Sequence, residues 1–414
     1  MSAPEVINFG CRLNIAEGEA VRLAATAAGV GAATIINSCA VTHAAEREAR
    51  RAIRQAVRTR PDQPVYVTGC AAETAAVSLA AMSEVTAVIA NSDKQAVAAW
   101  VNPGRLVGAP IMERREPFTP VVSGRDHARA FMAVQTGCDH RCTFCIIPFG
   151  RGNSRSSPVA DVVRAAQDAV ARGQHELVLT GVDLTSYGHD LPGAPTLGQL
   201  VERLLVAVPN LRRLRLSSLD SVEIDPLLFE LLTSEPRMMP HVHLSLQAGD
   251  DMILKRMKRR HARADAVRLV ERLKAARGDI AIGADLIAGF PTEDAAMAAN
   301  TLALVDDCAI AFGHIFPFSP RSGTPAARMP QIDPAVARER AAALRRGCAD
   351  QLAALRRNMV GTVQAMLVEN DGRSGHAENF ARLALDRSAQ PGIIVPVRIV
   401  DETGAACALE REPA

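Results

Sequence analysis

Lysine is nearly missing from this 414-residue chain: Lys94, Lys255, Lys258 and Lys274 stand alone among 47 basic residues, and the rest are arginine. Aromatic residues make up 3%, with one Trp and two Tyr, too few for a surface that stacks many nucleobases. No apolar run is long enough to span a bilayer, so no membrane association is expected. No secretory leader opens the sequence, and nine cysteines are an odd number. In an Ala- and Arg-rich chain this predicts free thiols in a cytoplasmic protein, not a disulfide framework. A dominant charge sign is also lacking, and the net +2 says nothing about partners. Arginine recognises phosphate bidentately and stays charged everywhere, although arginine-favouring codons explain the same bias. The apolar fraction of 48% is ample for globular folding, and the length implies two or three domains.

The cysteines are more informative. Cys138, Cys142 and Cys145 stand in VQTGCDHRCTFCIIPFGRGNSRS at the spacing C-x3-C-x2-C. Iron–sulfur clusters are normally held by four thiolates; three leave one iron without a protein ligand, and an open coordination position goes with chemistry. The alternative is a zinc site on the C-x2-C pair Cys142 and Cys145, with Cys138 and His140 completing a tetrahedral set; zinc ligands usually come as two separated pairs, and no second pair follows downstream. The spacing is the radical S-adenosylmethionine signature, in which the free iron is chelated by the cofactor's methionine moiety.

Residues 1–105 alternate short apolar runs with amphipathic stretches, the pattern of a parallel α/β sheet. The runs are VINFG, ATIINS, PVYVTG and TAVIA, with helices starting near Glu17, His43 and Glu73 and with Gly29 capping the first. The first three runs end in Cys11, Cys39 and Cys70. Ligands in open α/β sheets gather at the carboxyl ends of strands, so these three predict a second three-cysteine cluster with its own open iron. Asn102 to Arg125 reads as a linker. In residues 126–358, FMAVQTG, ELVLTG, LRRLRLSS, HVHLSLQ, AIGADLIAGF and FGHIFPF alternate with helices, one begun by Ser157-Pro158. Six such units predict a partial (βα)6 barrel with its site at the strand carboxyl ends, closed by a helix from about Pro334 to Asn358. Residues 359–414 carry short alternating runs separated by Gly, Asp and Asn, a small antiparallel β-barrel. The fold class is therefore α/β, ending in a β module.

GCRLNIAEGE, NSCAVTHAAEREAR and TGCAAE, together with the radical-type cysteine loop, resemble the methylthiotransferases of the radical S-adenosylmethionine superfamily over nearly the whole chain. The run CAVTHAAEREARRAIRQA is most similar to the branch acting on N6-threonylcarbamoyladenosine of tRNA, called MtaB-type in bacteria; RLSSLDSVEID, HVHLSLQAGDDMILKRMKRRH and DLIAGFPTED also resemble it. Other branches modify isopentenyladenosine in tRNA or an aspartate of a ribosomal protein. Phe149 and Gly150 depart from the usual Tyr and Ala, and NFGC from the commoner TLGC. The resemblance implies a C-terminal TRAM domain and two 4Fe-4S clusters, on Cys11, Cys39 and Cys70 and on Cys138, Cys142 and Cys145. It implies two molecules of S-adenosylmethionine, one giving a methyl group to sulfur at the first cluster and one yielding the radical that activates C-2 of adenine. It also implies a tRNA anticodon loop as partner, an electron donor such as flavodoxin or ferredoxin, and a sulfur source. An iron–sulfur protein that binds RNA or carries electrons without turnover would have fully ligated clusters instead.

For S-adenosylmethionine, candidates at strand ends are Thr180, Gly181 and Asp183, Ser217 and Ser218, and Gly283 and Gly289, where glycine lets backbone approach a ligand; turn chemistry favours the same residue types. For RNA phosphate, Arg47, Arg51, Arg54 and Arg58 share one helical face, and Lys255, Arg256, Lys258, Arg259 and Arg260 form a second cluster; solvated surface helices are the alternative. GRSGHAENFARL resembles the tRNA-facing loop of TRAM domains, with docking against the barrel as the other reading. His43 is a helix-start residue or a hydrogen bond to a cluster. Cys308, Cys348 and Cys407 read as structural.

Overall fold

The computed structural model of the chain describes residues 3–104, 106–107, 111–124 and 127–409; the expected boundaries at 105 and 126, and the linker's end at Arg125, lie outside them. Five strands, Glu5–Asn8, Thr34–Ser38, Val65–Gly69, Ala87–Ile89 and Leu106–Val107, form one parallel sheet in sequence order. Successive side chains of a strand point to opposite faces. Ile35, Tyr66, Ala87 and Ile89 accordingly pack with Val21, Ala25 and Trp100, and Ile36, Val67 and Val88 with Ala49, Ile53 and Leu79. Burial on both faces explains why the strands read as continuous apolar runs.

Two helix starts differ from the expectation. The first helix is Arg12–Ala27 and begins directly after Cys11, because Leu13 and Ala16 already belong to a buried face. The third begins at Cys70, not near Glu73, and runs Cys70–Thr74. Gly29 does follow the first helix, in the left-handed region, with its N–H on the Thr26 carbonyl.

Six parallel strands make the second unit: Ala130–Ala133, Glu176–Thr180, Arg213–Leu216, His241–Gln247, Ala281–Ala288 and Ile310–Pro317. The third and fourth meet only through the bridges Leu214–Met238 and Leu219–Leu244. Among the described residues the barrel stays open between its first and sixth strands. Helix Arg12–Ala27 lies along the first strand, with Leu13 and Ala16 against Val121 and Ala133. Within the expected linker, Leu106–Val107 adds an edge to the first sheet and Val121–Val122 an antiparallel edge to the barrel. The helix expected to start at Ser157-Pro158 is Val159–Ala171, with Pro158 at the cap position; the Ser157 hydroxyl makes no capping bond and is unpaired among the described residues. Helix Pro334–Met359 closes the unit, and no helix among the described residues is long and apolar enough to cross a membrane.

Strands Val363–Val368, Ser374–His376, Arg382–Leu385, Ile394–Ile399 and Ala405–Ala408 form a closed barrel. It is mixed, not wholly antiparallel, because Arg382–Leu385 pairs in parallel with Ala405–Ala408. Its loop delivers Phe380 to the first residues of the large barrel's strands. The ring stacks on His241 at 4.9 Å and on His376 at 4.6 Å, and the guanidiniums of Arg12, Arg129 and Arg215 lie 5.5, 5.5 and 5.2 Å from its centre. Arg215 also donates to the carbonyls of Ala377 and Glu378. Beneath them Glu176 is buried against Arg215 at 2.9 Å, Arg129 at 3.2 Å and Arg213 at 3.5 Å. Burial would raise its pKa, yet the three arginines bring it down to about 2. Phe380→Ala removes the docking ring, and we expect a loss of roughly 2–3 kcal/mol in chemical denaturation, somewhat below the value for a fully buried Phe.

Candidate functional site

Cys11 caps helix Arg12–Ala27 from an extended backbone, Cys39 follows strand Thr34–Ser38, and Cys70 opens helix Cys70–Thr74. All three sit at the carboxyl edge of the first sheet. Two glycines bring them together. Gly10 has φ +92° and a Cβ there would lie 2.7 Å from Cys39 Sγ; Gly69 has φ +89° and a Cβ would lie 2.3 Å from the Ser38 carbonyl. Both backbone angle and clearance therefore demand glycine before the first and third cysteines. Cys39 and Cys70 are buried and Cys11 is exposed. Burial, then Cys70, pushes the Cys39 thiol up to about 12, so ligation must displace its proton.

In the cysteine loop after strand Ala130–Ala133, Cys138, Cys142 and Cys145 are half-buried and within electrostatic reach of one another. Cys138 Sγ is 3.5 Å from Asp183 Oδ2. Arg259 Nη1 lies 3.7 Å from Cys142 Sγ while its other nitrogen donates to Asp220 and to the Ser245 carbonyl, both at 2.8 Å. His140 meets Asp183 at 2.9 Å and Glu223 at 3.8 Å, within 4.8 Å of Cys138 Sγ, and these two carboxylates push its pKa up to about 10. Each trio offers soft thiolate donors, with Arg151 in electrostatic reach of Cys70 and Cys11 and Arg259 beside Cys142. Three sulfurs under cationic guanidiniums suit an anionic iron–sulfur cluster.

The two trios share one junction. The helix Ile147–Arg151, just beyond Cys145, packs on the Cys70 helix, and a Cβ on Gly150 would come within 3.1 Å of Cys70 Cβ. The usual alanine of the family would be tight at this point. Asn91 donates to the Gly150 carbonyl at 2.7 Å. Arg151, fully buried, donates to Glu17 at 2.8 and 3.0 Å, to Asn14 at 2.6 Å and to Thr136 at 3.2 Å. Lys94 reaches the same Glu17 at 2.6 Å and Asn37 at 3.3 Å. Burial alone would raise the Glu17 pKa, but Arg151 and then Lys94 hold it at about 2.

The remaining expected residues divide. Thr180, Gly181 and Asp183 face the cysteine loop through Gln135, whose amide oxygen accepts from the N–H groups of Val182 and Asp183 at 2.9 and 3.0 Å. Ser217 is buried, and its hydroxyl is unpaired among the described residues; Ser218 donates to Asp285 at 3.2 Å. At Gly283 the missing side chain makes room for the His243 ring, and at Gly289 for Ala337; in both, protein takes up the space. The second basic cluster splits. Arg259 and Arg260 turn inward to Asp220 and Glu223, Arg256 donates to the Thr292 carbonyl, and Lys255 and Lys258 stay exposed. Arg47, Arg51, Arg54 and Arg58, joined by Arg50, line a surface cavity of about 460 Å³. His43 points to Pro320 and Arg321 across the domain junction, not to Cys39. The sequence reading missed Asn14, Glu17, Lys94, Gln135 and Arg151. A signal existed for the first two: polar residues three apart on a helix face otherwise made of Leu13, Ala16 and Val21.

Residues 132–305 match the Radical SAM superfamily, and residues 5–90 match an uncharacterized protein family, UPF0004. The threonylcarbamoyladenosine tRNA methylthiotransferase MtaB of Rickettsia prowazekii is 45% identical over 398 residues, covering 96% of this chain and 94% of that protein. The chain belongs to the radical S-adenosylmethionine methylthiotransferase family. Its superfamily uses S-adenosylmethionine and a 4Fe-4S cluster. MtaB of Bacillus subtilis is 32% identical over 80% of this chain and 77% of its own length. The tRNA-2-methylthio-N(6)-dimethylallyladenosine synthase of Roseobacter denitrificans is also 32% identical, over 97% of each. Among solved structures, the radical S-adenosylmethionine methyltransferase TsrM of Kitasatospora setae shares the fold, with a TM-score of 0.54 and 15% identity over 79% of this chain and 77% of that one.

Glu17 ionises more readily folded than unfolded, so its contribution is complete above its ordinary pKa of 4.5 and is lost as the pH falls towards 2. Glu17→Gln should flatten that part of the stability curve and cost about 3 kcal/mol at neutral pH, since Lys94 and Arg151 are then buried without a counter-charge; urea midpoints of the apoprotein from pH 7 to pH 3 measure both.

Proposed function

We propose that this protein transfers a methylthio group to C-2 of N6-threonylcarbamoyladenosine next to the anticodon of tRNA. The observation that carries the reading is the close approach of Gly150, on the helix just beyond Cys145, to Cys70, in a chain 45% identical to an MtaB enzyme. The 45% identity to the Rickettsia prowazekii MtaB favours the threonylcarbamoyl substrate, since the dimethylallyladenosine enzyme and the Bacillus subtilis MtaB both stand at 32%. Cys11, Cys39 and Cys70 would hold one 4Fe-4S cluster and Cys138, Cys142 and Cys145 the other, three thiolates for each.

The target C–H bond has no acidic proton, so acid–base groups have little purchase on it; S-adenosylmethionine bound at the second cluster supplies the radical chemistry. The protein's part is placement. Gly10 and Gly69 gather the first trio, Arg151 and Glu17 lock it to the second, and Gln135 ties the strand loops at the barrel mouth together. Thr180, Gly181, Asp183, Ser217 and Ser218, at the strand ends beside the cysteine loop, would bind S-adenosylmethionine. The arginine-lined cavity at Arg47 to Arg58 and the exposed Lys255 and Lys258 take tRNA phosphate, making affinity salt-dependent. The C-terminal barrel is a TRAM module. A flavodoxin or ferredoxin and a sulfur donor complete a cytoplasmic reaction.

Anaerobic reconstitution should give about eight irons per chain, from two four-iron clusters, and Cys142→Ala should keep about half; full iron in that variant would remove the loop from the ligand set. In a deletion strain lacking a second such enzyme, nucleoside analysis should show the methylthio derivative of threonylcarbamoyladenosine replaced by its unmodified parent. Persistence of the derivative would refute the substrate.

A further inference from the structure

The lumen of the large barrel holds a surplus cation. Arg12, Arg129, Arg213 and Arg215 enter it, and three carboxylates, Glu176, Asp285 and Glu369, face them. Each carboxylate is already engaged. Glu176 takes Arg129, Arg213 and Arg215; Glu369 takes Arg129 and His376. Asp285 accepts from His243 and His314, both at 3.2 Å on Oδ1, and from Ser218 at 3.2 Å on Oδ2. Arg12 has no hydrogen bond or ion pair among the described residues; its neighbour is the face of Phe380. The residue keeps part of its surface exposed. Asp285 and Glu176 lie within electrostatic reach of Arg12, but neither gives it a hydrogen bond, so a buried guanidinium here lacks the paired donors that would offset its lost hydration.

Its position is as telling as its isolation. Arg12 is the residue after Cys11, so one backbone turn aims a sulfur at the first trio and a guanidinium into the lumen. In adenine, C-2 and C-6 flank the same ring nitrogen, N1. A base held with C-2 beside Cys11 therefore carries its N6 substituent within reach of the next side chain. The threonylcarbamoyl group ends in a carboxylate, which a guanidinium fork matches with two parallel hydrogen bonds. The isopentenyl group ends in methyls and would leave Arg12 unpaired.

We propose that Arg12 is the receptor for the carboxylate of the N6-threonylcarbamoyl group, and so a specificity-determining residue; this rests on the tRNA reading above. A site built to pair a charged group rejects the analogue that lacks it more strongly than an apolar pocket rejects a polar one.

The test uses the anaerobically reconstituted holoenzyme and three anticodon stem-loops differing only at N6: threonylcarbamoyl, its methyl ester, and isopentenyl. Binding is read by fluorescence anisotropy and product by mass spectrometry. The wild-type protein should bind the free acid about ten- to a hundred-fold more tightly than the ester, the range for a hydrogen bond to a charged group. Arg12→Gln should bring that ratio close to one, with melting temperature and iron content unchanged. A wild-type ratio near one overturns the proposal without any variant. So does an Arg12→Gln protein that keeps the wild-type ratio. If the wild-type protein instead methylthiolates only the isopentenyl stem-loop, the functional reading itself fails, a pattern distinct from the other two.

Discussion

The carboxylate of Glu17 is the point on which this architecture turns. It sits on a helix of the first domain, yet its oxygens are shared between Lys94 of the same domain and Arg151 of the barrel's cysteine loop. Three charges buried together are not a cheap source of stability; their desolvation offsets much of their attraction. What they confer is registry. Arg151 finds its acceptors on Glu17, Asn14 and Thr136 in one relative placement of the two domains, and that placement rests Gly150 on Cys70. A purely apolar junction of similar area would tolerate sliding, and a slide of a few ångström would separate the trios.

A second polar network works from the opposite side. Phe380 enters the large barrel from the C-terminal module and is met by arginines and histidines on several strands. The module thereby closes one end of the lumen while the first domain, through helix Arg12–Ala27, lies along its open side. Arg12 belongs to both descriptions, since it touches Phe380 and adjoins Cys11. The three units meet at one set of side chains that none of them supplies alone.

Much of this was legible before any coordinates. The strand runs of both α/β units are found where the apolar patterns stood, because parallel strands buried on two faces leave an unmistakable apolar signature. The six cysteines were conspicuous by spacing and by their place at strand ends. The junction was not. Lys94 carries no local pattern, and its partner lies 77 residues away. Arg259 looked like part of a basic surface run, and only the folded chain turns it back onto Cys142. Glycines 283 and 289 looked like openings for a ligand, whereas the space beside them is filled by His243 and Ala337. Sequence periodicity reports which face is apolar; it is silent on which distant polar groups meet.

The contact of Gly150 with Cys70 also restricts how such a chain can be altered over time. Two segments some eighty residues apart fit each other with no slack at the atom where they touch. A side chain at position 150 requires the opposing helix, which carries Cys70, to give by a few tenths of an ångström. Grafting the first domain of a relative onto this barrel would therefore bring in a mismatched neighbour unless the cysteine loop travels with it. The unit of inheritance here is the seam, not the domain.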